Sequence, residues 1–280
     1  MQASENHNIL TQLRSGLNTT NFVRAIRDLH HGLLRWPLWM MLGSQEIRQR
    51  YRRSKLGPFW LTISLGVTVA ALGFLYGSLF KQPLTDYLPY LAAGFVVWGL
   101  ISGLINDGAR AFIDSEGLIR QLSAPLSIYV YRTLWTGLLT FLHNVVVFFV
   151  VALIFLRWPG WPLILLGPAI ILLLLNGAWM ILFIGVISAR FRDVPQIIAS
   201  IVQVMFFITP ILWTTDMLPD RALFLELNPF FHFVEIIRSP MLGEWPSVET
   251  WMAVIAITLV GWSLALVAYT VYRWRIAYWL

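Results

Sequence analysis

The sequence predicts an all-α integral membrane protein with six transmembrane helices, an N-terminal amphipathic interface helix and short re-entrant helices before the last span. Its 280 residues are 58% hydrophobic and only 12% charged, about half the charge of an ordinary soluble domain. The apolar residues are concentrated in runs long enough to cross a hydrocarbon core about 30 Å thick. These features exclude a soluble globular enzyme, and the absence of cysteine excludes disulfides and thiolate metal sites.

Six stretches contain no Asp, Glu, Lys or Arg and are long enough to span a bilayer as helices. We therefore divide the chain into a basic cytoplasmic segment, residues 1–57, and a transmembrane domain, residues 58–280. The basic segment lacks a short apolar core followed by a small-residue cleavage site, so we expect it to stay attached. The predicted spans are at about 58–80, 88–106, 133–156, 163–188, 194–213 and 252–272.

The positions of the cations predict the orientation of the spans. All but four of the 20 Lys and Arg residues lie in the N-terminal segment, in the connections after the second and fourth spans, or at the C-terminus; the exceptions are Lys81, Arg157, Arg221 and Arg238. Because cytoplasmic loops are enriched in Lys and Arg, both termini are expected in the cytoplasm. Topology and anionic lipid account for the net charge of +6, so no nucleic-acid partner is expected.

The N-terminal segment contains two cationic patterns. Residues 22–42 combine apolar side chains and arginines as in a helix that lies on the cytoplasmic membrane surface. A basic run follows, and it either only fixes the topology and contacts lipid headgroups or attracts a phosphorylated lipid substrate to a lateral entrance. The basic residues are Arg48, Arg50, Arg52, Arg53 and Lys55.

The first long cytoplasmic connection, residues 107–132, contains a predicted short helix before Pro125. Its polar side chains include Glu116 and Arg120, and its apolar ones include Leu118 and Ile119. Such a helix is suited to dock into another protein, and the alternative is a solvated loop. The second cytoplasmic connection, residues 188–195, is too short to bind a partner alone and is expected to end one helix and begin the next.

Residues 214–250 are more apolar than an ordinary external loop, but prolines interrupt them too often for two full spans. We predict a pair of short re-entrant or interfacial helices, since irregular backbone at membrane depth must be covered by protein. Glu235 and Arg238 are spaced i, i+3 and are expected to pair on one helix face. Their role is either structural or that of a gate.

The second predicted span carries an aromatic stripe. Tyr87, Tyr90, Gly94 and Trp98 share one helical face. Rings with a polar edge suit a conduit through which a sugar chain slides, and the alternative is core packing. The polar residues His143, Asn144, Asn176 and Gln203 are expected to form hydrogen bonds between helices.

The sequence lacks several motifs of catalysis. It contains no G-x-x-x-x-G-K-[ST] loop, no H-E-x-x-H and no G-x-S-x-G. We expect no catalytic residue, no metal site and no cofactor on this chain. Ion-coupled transport is also disfavoured, because the predicted spans contain no ionisable Asp, Glu, Lys or Arg.

Three motifs in order resemble one known family. They are Ile47-Arg-Gln-Arg-Tyr-Arg-Arg-Ser-Lys-Leu-Gly-Pro-Phe-Trp60, then Ser188-Ala-Arg-Phe-Arg-Asp193 followed by Thr209-Pro-Ile-Leu-Trp213, and Leu227-Asn-Pro-Phe-Phe-His-Phe-Val-Glu-Ile-Ile-Arg238. Over about residues 40–280 the chain resembles the permease subunits of ABC-2 type polysaccharide exporters, and within them the Wzm-like permeases for lipid-linked O-antigen. Capsule and teichoic-acid export permeases are related.

The resemblance implies a place for each segment in a transport complex. Residues 36–55 would form the interface helix, residues 112–124 would contain the coupling helix, and Asn228, Glu235 and Arg238 would lie in the short periplasmic helices as a gate. Two copies in the bacterial inner membrane would assemble with two P-loop ATPase subunits, which bind ATP and Mg, and would export a lipid-linked polysaccharide. The alternatives are an ABC-2 drug or lipid exporter, and a channel-like scaffold without an ATPase.

Overall fold

The computed structural model describes residues 18–50, 52, 56–57, 59–217 and 223–280 of the chain. All regular elements in those ranges are helical. The α-helices are α1 (Thr19–Leu34), α2 (Trp36–Arg50), α3 (Phe59–Leu79), α4 (Leu84–Arg110), α5 (Glu116–Gln121), α6 (Ser127–Ile154), α7 (Leu166–Arg190), α8 (Val194–Ile208), α9 (Leu223–Glu226), α10 (Pro229–Leu242) and α11 (Val248–Trp279). Short 3₁₀ turns cover Ile113–Ser115, Trp161–Leu165 and Thr215–Met217.

The N-terminal segment forms two helices where the sequence predicts one surface helix over residues 22–42. The chain turns at Arg35, between α1 and α2, and the N–H of Arg35 donates to the carbonyls of His31 and Gly32. Pro37 explains the break, because a proline inside a helix removes one N–H and its ring clashes with the carbonyl four residues earlier. The N-terminal segment is therefore two helices joined at Arg35.

Five of the described helices are long and apolar enough to cross a membrane: α3, α4, α6, α7 with its preceding 3₁₀ turn, and α11. The predicted fifth span, residues 194–213, forms the shorter helix α8 of 15 residues, which is about 22 Å long at 1.5 Å per residue. It ends at Ile208 because Pro210 disfavours a helical conformation at Thr209, which is extended. The count of six crossings stays a prediction.

Helix α4 is the centre of the bundle and packs against α3, α6, α7, α8 and α10, while α11 packs against α7. Its contact with α3 is close because Gly73 and Gly77 leave room for the side chains of Leu88 and Leu84; a Cβ at either glycine would lie 2.8 Å from the facing leucine. Asn176 on α7 donates to the hydroxyl of Thr258 on α11 at 2.7 Å. The predicted interhelical role of Asn176 is therefore confirmed.

The segment before α11 contains the predicted short helices, α9 and α10. Helix α10 begins after Asn228, whose side chain accepts a hydrogen bond from the N–H of Phe230 at 2.9 Å. It ends at Gly243, which has a positive φ of 84° and lies close to the carbonyl of Pro159. The depth of α10 in the bilayer stays a prediction.

Candidate functional site

The segment predicted to couple to an ATPase is built around Glu116 at the start of α5. Its carboxylate pairs with Arg120, one turn later, at 2.9 Å and with Arg192, in the connection between α7 and α8, at 3.3 Å. Arg192 also donates to the carbonyl oxygen of Leu280 at 3.2 Å. The connection that contains α5, the connection between α7 and α8, and the C-terminal end of α11 therefore meet at one place.

The two faces of α5 have different surroundings. Leu118 and Ile119 are half-buried against the core of the subunit, whereas Arg120 and Leu122 are exposed. The exposed surface here therefore centres on Arg120 and on Leu122, which directly follows α5. Leu118 and Ile119 attach the helix to the bundle, and their role in docking stays a prediction.

The basic residues predicted to attract the lipid carrier, here called the entrance cations, lie where α2 ends. Arg48, Arg50 and Arg52 are exposed, whereas Arg53 and Lys55 lie outside the described residues. Arg50 pairs with Glu46 at 3.4 Å, and the other carboxylate oxygen of Glu46 lies 3.5 Å from Nε of Arg132 on α6. Arg50 and Arg132 thus flank one carboxylate.

Helix α2 is fixed to α6 one turn before this cluster. The indole N–H of Trp135 donates to the hydroxyl of Ser44 at 3.0 Å. A Cβ at Gly43 would lie 2.9 Å from the hydroxyl oxygen of Thr136, so only a residue without a side chain permits this approach. The position of the cations relative to the bundle is therefore set by packing.

The aromatic stripe of α4 lies inside the single subunit. Tyr87 and Trp98 are buried. The Tyr87 hydroxyl donates to the carbonyl of Leu212 at 2.6 Å, and the Tyr90 hydroxyl lies 2.9 Å from the carbonyl of Pro210. These contacts attach α4 to the extended chain after α8. They support the core-packing interpretation for the single subunit, and the conduit role stays a prediction.

The predicted pairing of Glu235 with Arg238 is confirmed on α10. Arg238 donates to Glu235 and to the carbonyl of Pro210, each at 2.5 Å, and its guanidinium lies 4.3 Å from the centre of the Tyr90 ring. Burial alone would raise the pKa of Glu235, but the Arg238 charge and the Ser239 hydroxyl hold this pKa below its ordinary value. The pair connects α10, α4 and the chain after α8.

Asn228 extends this external cluster. Besides capping α10, its amide donates to the hydroxyl of Thr209 at 3.1 Å. The three proposed gate residues are thus linked. Asn228 bonds to Thr209, and Arg238 bonds to both Glu235 and Pro210. Asn228 and Arg238 bond directly to the chain that follows α8, and Glu235 is linked to that chain through Arg238.

The sequence patterns do not indicate the partners of three residues. They assign Arg132 and Arg192 only to topology and helix ends, and they give no role to Asp28 on α1, which pairs with Arg273. Arg192 and Glu116 are 76 positions apart, and Asp28 is 245 positions from its partner Arg273. A lone acid within the basic N-terminal helix was the one available signal, and it did not indicate the partners.

The chain is similar in sequence to a known family and to several named proteins. It matches the family model described as ABC-2 type transporter over residues 37–242, a range that contains all three motifs. A protein of Myxococcus xanthus named O-antigen export system permease protein RfbA is 25% identical over 245 residues, which cover 85% of this chain and 92% of the relative. A protein of the same name from Klebsiella pneumoniae is 22% identical over 82% of this chain and 91% of its own length.

A polysialic acid transport protein is also similar over most of the chain. The polysialic acid transport protein KpsM of Escherichia coli is 20% identical over 80% of this chain and 89% of its own length. The relatives are thus matched nearly end to end, and the family model covers well over half of the chain. The chain belongs to the ABC-2 type transporter family.

Proposed function

We propose that this chain is the permease subunit of an ATP-driven exporter that moves a lipid-linked O-antigen polysaccharide across the bacterial inner membrane. The observation that carries the proposal is the near full-length similarity to two relatives named as O-antigen export permeases, from Myxococcus xanthus and Klebsiella pneumoniae. Membership in the ABC-2 family and five apolar helices of spanning length support a permease role. The chain has no P-loop motif, so ATP and Mg would be bound by a separate subunit.

In this proposal the membrane domain crosses six times, with α8 as the fifth crossing and both termini in the cytoplasm. The asymmetry of the cations supports this orientation. The helix α10 would then lie on the periplasmic side as a short re-entrant or interfacial element, and α1 and α2 would lie on the cytoplasmic surface. Two copies would pair with two P-loop ATPase subunits, which would contact the exposed side of α5.

One exposed face of α8 is polar. This face supports the proposal that a second copy or a polar path lies beside the helix. Gln196, Ser200 and Gln203 follow each other at i, i+4 and i+7, and all three are exposed on the single subunit. Amide side chains facing hydrocarbon are costly, and such residues usually face the interior of a bundle or a water-filled cavity. We therefore place the polymer path along this face of α8, where the subunits meet.

The lipid carrier would approach the membrane domain at the cytoplasmic surface, near the end of α2. The exposed Arg48, Arg50 and Arg52 lie at the end of α2, close to the start of the first span. Arginine binds phosphate oxygens with charge-assisted hydrogen bonds. We propose that these residues, with Arg53 and Lys55, attract the pyrophosphate of the carrier. The stripe of Tyr87, Tyr90 and Trp98 on α4 would pack behind α8 and hold this wall of the polymer path in place.

A capsular polysaccharide is the second candidate cargo, because KpsM, a polysialic acid transport protein, is similar over 232 residues. Teichoic-acid polymers and small drugs or lipids are further alternatives within ABC-2 type exporters. Genetic inactivation of this chain tests the proposal. O-antigen should disappear from the cell surface and accumulate on its lipid carrier inside the cell, while capsule stays normal; normal surface O-antigen would contradict the proposal.

A further inference from the structure

A buried carboxylate, Asp28, lies on the inward side of α1. It is 5% exposed, and the other two buried residues of this helix, Ala25 and Gly32, lie on the same side. A Cβ at Gly32 would lie 2.1 Å from the hydroxyl oxygen of Ser127, so α1 approaches the start of α6 closely. The helix is therefore attached to the bundle along the side that carries Asp28.

The carboxylate bonds to two other helices. One oxygen accepts from the backbone N–H of Ser127 at 3.1 Å and from the hydroxyl of Tyr269 at 2.7 Å. The other accepts from the backbone N–H of Leu126 at 3.2 Å and from the guanidinium of Arg273 at 2.8 Å. In addition, the Ser127 hydroxyl donates to the backbone carbonyl of Asp28 at 2.7 Å. Both oxygens are fully occupied.

These partners lie at a particular place in the chain. Leu126 and Ser127 are the residues at which the first cytoplasmic connection ends, five positions after α5, and Tyr269 and Arg273 belong to the cytoplasmic end of α11. The same end of α11 contacts the other side of the connection, because Arg192 donates to Leu280 and pairs with Glu116. The coupling segment is therefore linked to the end of α11 at both of its own ends, through Arg192 at Glu116 and through Asp28 at Ser127, and to α1 at the second of these.

Simple packing does not require a carboxylate at this position. An apolar side chain of similar size often serves a buried site as well as an ion pair does, because charges are costly to desolvate. What the carboxylate adds is a set of directional bonds that fix α1 to the first turn of α6 and to α11 at once. Displacing the start of α6 or the end of α11 alone would remove part of the bonds of a buried charge, and displacing α1 would remove all of them.

We propose that Asp28 is a positioning residue that makes α1, the start of α6 and the cytoplasmic end of α11 move as one unit. A displacement of the coupling segment by the ATPase is then passed to the amphipathic helix at the membrane surface, and through Arg35 to α2 and its cations. This inference rests on the proposed function, since it needs an ATPase that acts on the coupling segment.

The test uses the intact complex of permease and ATPase, with the variants Asp28→Asn and Tyr269→Phe. Tyr269→Phe removes one hydroxyl and keeps the ring, so it folds even where Asp28→Asn does not. The exposed acid of the external Asp86–Arg157 pair provides the matched control, Asp86→Asn. Hydrogen exchange of residues 19–34 and the amount of polymer exported per ATP hydrolysed are measured at equal amounts of folded complex.

For Asp28→Asn we expect the amides of α1 to exchange at least tenfold faster while those of α4 stay protected, and the polymer exported per ATP to fall at least fivefold. Tyr269→Phe should lower that ratio about twofold, and Asp86→Asn should leave both measurements unchanged. Unchanged protection of α1, or an unchanged ratio in both test variants, overturns the proposal. Export by the wild-type complex reports on the proposed function, whereas only the difference between variant and wild type reports on Asp28.

Discussion

Removing the guanidinium of Arg238 should strongly destabilise the packing of α10 against α4 and the chain after α8. In Arg238→Met the apolar stem is kept, but Glu235 loses its charged partner and the carbonyl of Pro210 loses its donor. The side chains of Arg238 and Glu235 are only 3% and 23% exposed, so the remaining carboxylate stays largely shielded from water. Breaking a buried pair in this way costs about 3–5 kcal/mol, or roughly two to nearly four powers of ten in the folding equilibrium.

The double variant Glu235→Gln, Arg238→Met separates the charge from the lost hydrogen bonds. It removes both charges, so it should recover a large part of the stability, but not all of it, because the Pro210 carbonyl still lacks its donor at about 1–3 kcal/mol. As a control, Arg157→Gln breaks an exposed ion pair with Asp86 and should cost less than about 1 kcal/mol.

The assay is equilibrium unfolding in mixed micelles, in which the fraction of SDS is raised and the fluorescence of the 14 tryptophans is followed. The order of stability should be wild type and Arg157→Gln, then the double variant, then Arg238→Met. A loss below about 1 kcal/mol in Arg238→Met, or a double variant less stable than this single variant, would refute the account of a charge pair that is costly to break.

Three further predictions concern the coupling surface, the entrance and the path. Leu122→Asp places a charge at the exposed residue that follows α5. It should reduce co-purification of the ATPase at least fivefold without changing the unfolding midpoint. Full recovery of the complex would remove Leu122 from the docking surface. The pair Arg48→Gln, Arg50→Gln should lower the affinity for the lipid-linked polymer by more than tenfold, since charge-assisted bonds contribute roughly 1.5–3 kcal/mol each; normal export by correctly inserted protein would leave the cations with a topological role alone. Because the chain has no cysteine, Gln203→Cys provides a single thiol that should react with a membrane-impermeant maleimide, whereas Leu259→Cys, on the exposed apolar surface of α11, should not; equal labelling of both would contradict a polar path along α8.

The sequence predicts the helices well where its local signals are strong. Apolar runs without charge locate the long spans, and the i, i+3 spacing locates the ion pair of Glu235 and Arg238. Two prolines account for two of the differences in bounds. Pro37 divides the N-terminal helix, and Pro210 ends α8 five residues before the predicted end of its span. Both prolines are visible in the sequence.

The sequence does not predict which surfaces the helices turn toward each other. Tyr87 and Tyr90 share one helical face by spacing, but their acceptors lie more than 100 positions away, in the extended chain after α8. The bonds of Asp28 to α6 and α11 are equally remote in sequence. Such contacts depend on the order in which the helices pack, and no pattern of apolar or charged residues within one helix specifies that order.

Reconstituted transport tests the central claim most directly. The chain is purified together with its P-loop ATPase and placed in liposomes that contain lipid-linked O-antigen in the outer leaflet, with the ATPase side facing outward. Addition of ATP and Mg should move the polymer into the lumen, where an external glycosidase no longer cleaves it, and a hydrolysis-deficient ATPase should abolish this protection. ATP hydrolysis that protects no polymer but moves a small amphiphile would contradict a polysaccharide permease.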